Sequence, residues 1–262
     1  MIYQICMAAT SHPGLTGNDN EDALLDIEGP IAGDSIQGSR SHYCNVDKNW
    51  LIAVADGMGG ANAGEVASLI AVEYLNKCSD SLSFDIGNVL LEIHREILKS
   101  GRENPQYTGM GSAVAGIGVT GDGLFVFNVG DCTVYRVVDG FLQRLTVDDS
   151  IATVLAMPGT IPNGSRHGGL NRLTQVLGGP DSGRPIVPHV FTVRLKSPAR
   201  FLLCSDGLTD MVTLDDMEAI IANGTPLDAV QALLDAALAA GGKDNITLMV
   251  VDLSPAVTTS NM

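Results

Sequence analysis

Basic residues are scarce in this chain: 15 lysines and arginines stand against 30 aspartates and glutamates, a formal net charge of −15. Nucleic acid and anionic membrane both need a basic footprint, so neither is expected as the main partner. Long apolar runs are missing as well. The longest, such as residues 51–55 and 248–251, fall far short of a bilayer's thickness. Residues 1–10 lack the basic start of a signal peptide and alternate polar with apolar, as a first strand does. A cytoplasmic protein without membrane insertion is expected. Cys6, Cys44, Cys78, Cys132 and Cys204 show neither a CxxC pair nor regular spacing, which argues against a zinc site or a disulfide frame and for reduced thiols filling the core. No linker composition and no internal repeat divides the 262 residues, and 45% hydrophobic content suffices for a sizeable core. The expectation is one domain over 1–253 and a short tail over 254–262.

Strand-like runs recur at 2–9, 50–55, 112–119, 124–129, 133–138, 190–195, 201–204 and 246–252, most of them bounded by Gly, Asp or Pro. Gly121-Asp122-Gly123 and Asp139-Gly140 are tight-turn signals that favour antiparallel hairpins. Helical periodicity comes in two pairs. Residues 63–77 carry Val66, Ile70 and Tyr74 every fourth position, and 86–98 carry Val89, Leu90, Ile93 and Ile97 on one stripe. The second pair is 214–222 and a helix from Pro226, with Thr225 and Asp228 at capping-box spacing and Leu227, Val230, Leu234 and Leu238 as its apolar stripe. Strand runs interrupted by helix pairs, with hairpins in place of βαβ crossovers, predict an α+β fold. Two antiparallel sheets packed face to face and flanked by helices, a four-layer α/β/β/α sandwich, use every apolar face. Residues 156–171, rich in Gly and Pro, read as a surface segment or lid.

Five acidic clusters are set against this strand-like sequence: Asn20-Glu21-Asp22, Asp56-Gly57-Met58-Gly59-Gly60, Gly130-Asp131, Ser205-Asp206-Gly207 and Asp244-Asn245. Oxygen-only clusters favour Mg²⁺ or Mn²⁺ over softer ions, and no histidine accompanies any of the five. Asp56 is expected at the exit of an apolar strand, with Gly57, Gly59 and Gly60 letting the chain turn past an ion into the next helix. Asp206 repeats the design, with Asp210 one helical turn later, and Asp244 stands at a strand's entry. In an antiparallel sheet one strand's exit can neighbour the next one's entry, which lets the three carboxylates meet.

Eight segments in order resemble the metal-dependent PP2C-type (PPM) protein serine/threonine phosphatases, in particular their bacterial members. They are Asn20-Glu21-Asp22, Asp56-Gly57-Met58-Gly59-Gly60, Gly111-Ser112-Ala113, Val129-Gly130-Asp131, Leu145-Thr146 with Asp149-Ser150, 173–178, 203–210 and Asp244-Asn245-Ile246-Thr247. The resemblance implies a phosphatase with two Mn²⁺ or Mg²⁺ ions and a weaker third. By position, Asp56 would bridge both ions, the Gly57 carbonyl would bind the first, and Asp206 and Asp244 would hold the second. Asp22 and Glu21 would hold metal-bound waters, and Asp131 with Asp206 or Asp210 would make the third site. Hydrolysis of phosphoserine or phosphothreonine would proceed by direct attack of a metal-activated water, catalysed through Asp22, Asp56, Asp206 and Asp244. The implied partners are phosphorylated proteins and a cognate bacterial Ser/Thr kinase, met by a monomer. The flap, about 151–172, is where the resemblance fades.

One departure bears on substrate. Where many members carry a phosphate-gripping arginine, this chain has Gly17, and neither glycine nor Asn18 replaces a bidentate guanidinium. Arg40, Arg136, Arg166 and Arg172 are candidate substitutes, so the substrate-binding residues stay open. Met58 stands where eukaryotic members often have a histidine, leaving a metal-bound water as proton donor. His12, His42, His94, His167 and His189 receive no role, and Cys204 reads as a buried strand thiol, not a nucleophile. Two alternatives are a catalytically weak or silent scaffold of this fold and a hydrolase of small phosphate esters.

Overall fold

Apolar residues on both faces of one strand demand cover on both sides, and 51–55 is such a strand: Ile52 and Val54 pack toward a second sheet, Leu51, Ala53 and Ala55 toward helices. The structure, a computed structural model, describes residues 3–16, 19–36, 38–46, 49–59, 63–79, 85–120, 123–156, 172–180, 185–195 and 197–255. In chain order it has β1 (Tyr3–His12), β2 (Ala23–Asp26), β3 (Gly29–Ala32), β4 (Arg40–Val46), β5 (Trp50–Met58), α1 (Ala63–Ser79), α2 (Ile86–Glu103) and β6 (Gly111–Thr120). Next come β7 (Gly123–Val129), β8 (Thr133–Val138), β9 (Phe141–Arg144), α3 (Ile151–Ala156), β10 (Leu177–Gly178) and β11 (His189–Val193). The chain then runs through β12 (Ala199–Cys204), α4 (Asp206–Thr209), α5 (Leu214–Ile221), α6 (Pro226–Ala239) and β13 (Ile246–Pro255).

One sheet has the order β4-β1-β13-β12-β8-β9 and the other β11-β7-β6-β5-β2-β3, with β10 beside β6. Every strand pairing in both is antiparallel. Ile5, Met7, Ile117, Phe201 and Met249 fill the space between the sheets. Leu75, Leu90 and Ile93 seal α1 and α2 onto one outer face, and Leu202, Met217, Leu233 and Leu248 seal α5 and α6 onto the other. The four-layer sandwich stands as the sequence led us to expect.

Local signals held where chemistry was specific. Asp139 and Gly140, both at positive φ, turn β8 into β9, and Thr225 and Asp228 form the capping box of α6. Two expected stripes are rotated. In α1 the buried line is Ala63, Ala67, Ala71 and Leu75, with Val66, Ile70 and Tyr74 at its flanks, because small side chains let a helix approach a sheet closely. In α6 the buried set is Ala229, Val230, Leu233, Leu234 and Ala237, and Leu227 is 40% exposed. β5 does not end before Asp56 but continues to Met58, pairing Asp56 with Ala113. The Gly121-Asp122 turn, most of the flap (157–171), Gly17, Gly60, Arg166, His167 and tail residues 256–262 lie outside the described residues.

Candidate active site

The space between the sheets changes from apolar to polar at one end. Side-chain alternation along β5 puts Asp56 on the inter-sheet side with Ile52 and Val54. Asp22, just before β2, lies on the same side and is 1% exposed. Its Oδ2 accepts a hydrogen bond from Ser205 Oγ at 3.0 Å, while its Oδ1 is buried without a partner. Asp206 opens α4 after β12, and its Oδ1 is likewise buried and unpartnered.

These carboxyls are strongly perturbed. Burial pushes Asp22 up to about 7, with the charges of Asp206 and Asp244 adding to it against hydrogen bonds from Thr247 and Ser205. Burial first, then the charges of Asp22, Asp206, Asp131 and Asp244, hold Asp56 well above the usual carboxylate range. Asp206 is raised to about 6 by burial and by Asp244 and Asp210, and Asp131 to about 7 by burial and by Asp206. Such shifts mark a site that disfavours its own ionised state, and a divalent cation is what offsets that.

The framework around them is polar and long-range. Asn20 Nδ2 donates to Ser11 Oγ at 2.8 Å, and Ser11 and Thr247 share a 2.6 Å hydroxyl contact that joins β1 to β13. Asn245 Oδ1 accepts from the Glu21 amide at 2.8 Å, and its Nδ2 holds the carbonyls of Pro13 and Asp19. Glu21 Oε1 accepts from the Gly64 amide at 3.2 Å, in the first turn of α1, where a helix favours an anion. Burial nevertheless raises its carboxyl from the ordinary range.

Gly57 faces α1, and a Cβ built there would collide with the carbonyl oxygens of Gly64 and Glu21. Both obstacles are backbone. Gly57→Ala is therefore expected to cost about 3 kcal/mol of stability, the upper part of the overpacking range, read as a lowered denaturant midpoint at unchanged m-value.

Farther out, Asp131, Asp148, Asp206 and Asp210 line a cavity of about 220 Å³ with Arg144, Tyr135, Ser150 and Thr209. Asp210 is raised by burial and by Asp244 and Asp148, against the pull of Lys243. Asp244 is exposed at the rim, its Oδ1 accepting from the Asn245 amide at 2.8 Å. The expected meeting of Asp56, Asp206 and Asp244 is thus electrostatic: among the described residues no three Asp, Glu, His or Cys side chains close into a complete ligand set. The donor chemistry fits a hard divalent cation: oxygen only, with three buried carboxylate oxygens, on Asp22, Asp148 and Asp206, lacking any hydrogen bond.

The thiols fit their expected inert role. Cys204 is buried and pushed up to about 12 by burial, and Cys132 is raised well above its ordinary value by burial and by Asp56. Cys6, Cys44 and Cys78 are only half-buried.

Of the proposed substitute cations, Arg40 is engaged by Asp26 and Glu28 at the end of β2 opposite Asp22. Arg136 sits in β8 across from Phe201, and Arg172 is exposed. Among the described residues that line the cavity the cation is Arg144, which donates to Thr133 Oγ1 at 2.6 Å and lies 3.6 Å from Asp148. Sequence reading passed over it, although it directly precedes Leu145-Thr146.

Comparison with known proteins agrees with this fold. A family model for protein phosphatase 2C matches residues 32–240. The serine/threonine phosphatase stp of Listeria innocua is 30% identical over 220 residues, covering 79% of this chain and 86% of that protein. PstP of Mycobacterium tuberculosis, a serine/threonine protein phosphatase, is 29% identical over 256 residues, and the chain spans 44% of its length. The solved catalytic domain of PstP in complex with two manganese ions superposes with a TM-score of 0.74 at 28% identity, covering 97% of this chain and all of that one. A family model matched over residues 32–240, a curated relative 30% identical over most of both chains and a shared sandwich fold show that this chain belongs to the protein phosphatase 2C (PPM) family, among its bacterial serine/threonine phosphatases.

Proposed function

We propose that this phosphatase hydrolyses phosphoserine and phosphothreonine in proteins at the polar end of the sandwich, opposing a bacterial Ser/Thr kinase. The observation that carries the reading is the pair of buried, unpartnered oxygens, Asp22 Oδ1 and Asp206 Oδ1, beside the raised carboxyl of Asp56. Asp56 and the Gly57 carbonyl would hold one divalent ion, Mn²⁺ or Mg²⁺. Asp206 and Asp244 would hold a second ion shared with Asp56, and Asp131 with Asp206 or Asp210 a weaker third. When bound, such ions would supply Lewis acidity, the chemistry that makes hydroxide available near neutral pH and offsets phosphoryl charge during in-line displacement.

The chain's own residues do the placing. Ser205 orients Asp22 through its hydroxyl, and Asn245 and the first turn of α1 fix Glu21. No histidine lines the cavity of Asp131 and Asp206 among the described residues, which supports a water held by an ion over a histidine as the donor of the leaving oxygen's proton. With Gly17 in place of an arginine, a weak phosphate grip should appear as a high KM more than a low kcat. The working unit we infer is a cytoplasmic monomer over 1–253. Among the described residues no helix is long and apolar enough to cross a membrane.

The deciding measurement is turnover of a phosphothreonine peptide and of p-nitrophenyl phosphate at fixed Mn²⁺. Peptide hydrolysis that stops on chelation is the expected result. Turnover of the small ester alone would move the assignment to small phosphate esters, and turnover of neither would leave a binding scaffold.

A further inference from the structure

Asp149 is 8% exposed and carries more short hydrogen bonds than its place in a loop requires. Asp148 and Ser150 line the outer cavity, while Asp149, between them, is absent from its wall. Its Oδ2 accepts from the Gly130 amide at 2.8 Å and from Gln175 Nε2 at 2.8 Å, and its Oδ1 lies 2.9 Å from His189 Nε2. Its amide donates to the Gly130 carbonyl at 3.1 Å, and its carbonyl accepts from the Thr174 amide at 2.7 Å and hydroxyl at 2.9 Å. One residue thus ties together the 130–131 turn, both flanks of the 151–172 segment and the start of edge strand β11.

The tie matters because Asp131 is the next residue in the chain after Gly130. Gly130 sits at φ +95°, and a Cβ there would lie 2.5 Å from Ala113 Cβ, so this turn accepts only glycine. Glycine brings conformational freedom with it. The Asp131 carboxylate beside Asp206 is carried by that turn, whose far side Thr133 Oγ1 holds at the Asp131 carbonyl at 3.0 Å, and Asp149 holds its near side, gripping Gly130 at both its amide and its carbonyl. Asn128 gives a lesser brace, its Nδ2 reaching the Gly130 carbonyl at 3.2 Å.

We infer that Asp149 is a positioning residue for the Asp131 metal position, locking the Gly130-Asp131 turn to the flanks of the 151–172 segment. The inference rests on the reading that Asp131 takes part in ion binding. An Asp149→Asn variant keeps the shape, but only one of its two terminal atoms can accept, so Gly130, Gln175 and His189 can no longer all meet a carboxylate oxygen, and no charge faces His189. In the metal-free protein, exchange of the Gly130 amide should accelerate by ~100-fold or more. In a Mn²⁺ titration followed by electron paramagnetic resonance, the weakest class of bound ions should lose roughly tenfold in affinity. Asp131→Asn should do the same, and the double variant should lose little more, since both act on one position.

A remote cap variant, Thr225→Ala, supplies the structural control: it lowers Tm but leaves Gly130 exchange and Mn²⁺ affinity at parental values. If Asp149→Asn does not fold, His189→Gln removes only one partner of the carboxylate and should move both readouts part of the way. Additive losses in the double variant overturn the inference, and so does a Gly130 amide that exchanges in the parent at an unprotected rate. A parent that binds no Mn²⁺ overturns the proposed function instead, while the exchange measurement still decides whether Asp149 holds the turn.

Discussion

Asp56→Asn is expected to lower kcat/KM for a phosphothreonine peptide by ~10³-fold or more at saturating Mn²⁺ while raising the Tm of the chelated protein. The first effect comes from position. Asp56 is the carboxylate on which the charges of Asp22, Asp206, Asp131 and Asp244 all act, and under the proposed function it would be the ligand that both ions share. Loss of one preorganised electrostatic partner in other enzymes costs ~10²–10³ in rate, and a group shared between two ions belongs at or beyond the top of that range, about 4 kcal/mol of barrier. The second effect comes from the same charges. A carboxyl held well above its ordinary range opposes folding when ionised, and asparagine removes the charge at constant shape. Parental turnover in this variant would refute the role of Asp56. A fall in the chelated Tm would mean that Asp56 contributes packing and hydrogen bonding that outweigh its charge.

How much of this was legible beforehand depended on whether the signal was local. The run 51–55 is apolar on both faces and could only be a buried strand, and the capping residues of α6 are adjacent in sequence, so both were readable. Strands β2 and β3 are four residues each and β4 is a polar edge strand, Arg-Ser-His-Tyr-Cys-Asn-Val, held by pairing with β1. No periodicity announces such segments. The stripe of α1 misled for a different reason: hydrophobicity picks out Val66, Ile70 and Tyr74, whereas contact with the sheet selects Ala67 and Ala71. At the site, the aspartates stand beside glycines in recognisable clusters. Their supports do not, because Asn245 reaches Glu21 across 224 residues of chain and Ser11 meets Thr247 across 236. His189, to which the sequence reading gave no role, acquires one through Asp149 in the same way.

The largest stability effect should be set by pH and metal together. Asp22 and Asp131 are raised from an ordinary value of 3.8 to about 7, and Asp206 to about 6. Between about pH 4 and 7 the folded protein therefore holds protons that the unfolded chain has released. Stability falls with rising pH wherever the native state binds more protons, so these groups weaken the chelated protein progressively across that window, with the full penalty above about pH 7. Asp228, lowered by the hydroxyl and amide of Thr225, acts only below its ordinary 3.8 and does not mask the trend. Divalent ions compete with those protons and bind the ionised carboxylates. At a hundredfold excess over Kd each site adds about 2.7 kcal/mol, and for a chain of this size each kcal/mol is worth ~2–4 °C. Two ions should then raise Tm by on the order of 10–20 °C at pH 8, and by far less at pH 5, where protons already occupy the carboxylates. Thermal scans of the parent and Asp56→Asn, with Mn²⁺ and with chelator at both pH values, isolate the effect: the variant should show a flatter pH slope and a smaller Mn²⁺ shift. A Mn²⁺ shift of equal size at pH 5 and pH 8 would mean that the buried carboxyls are not the groups that meet the metal.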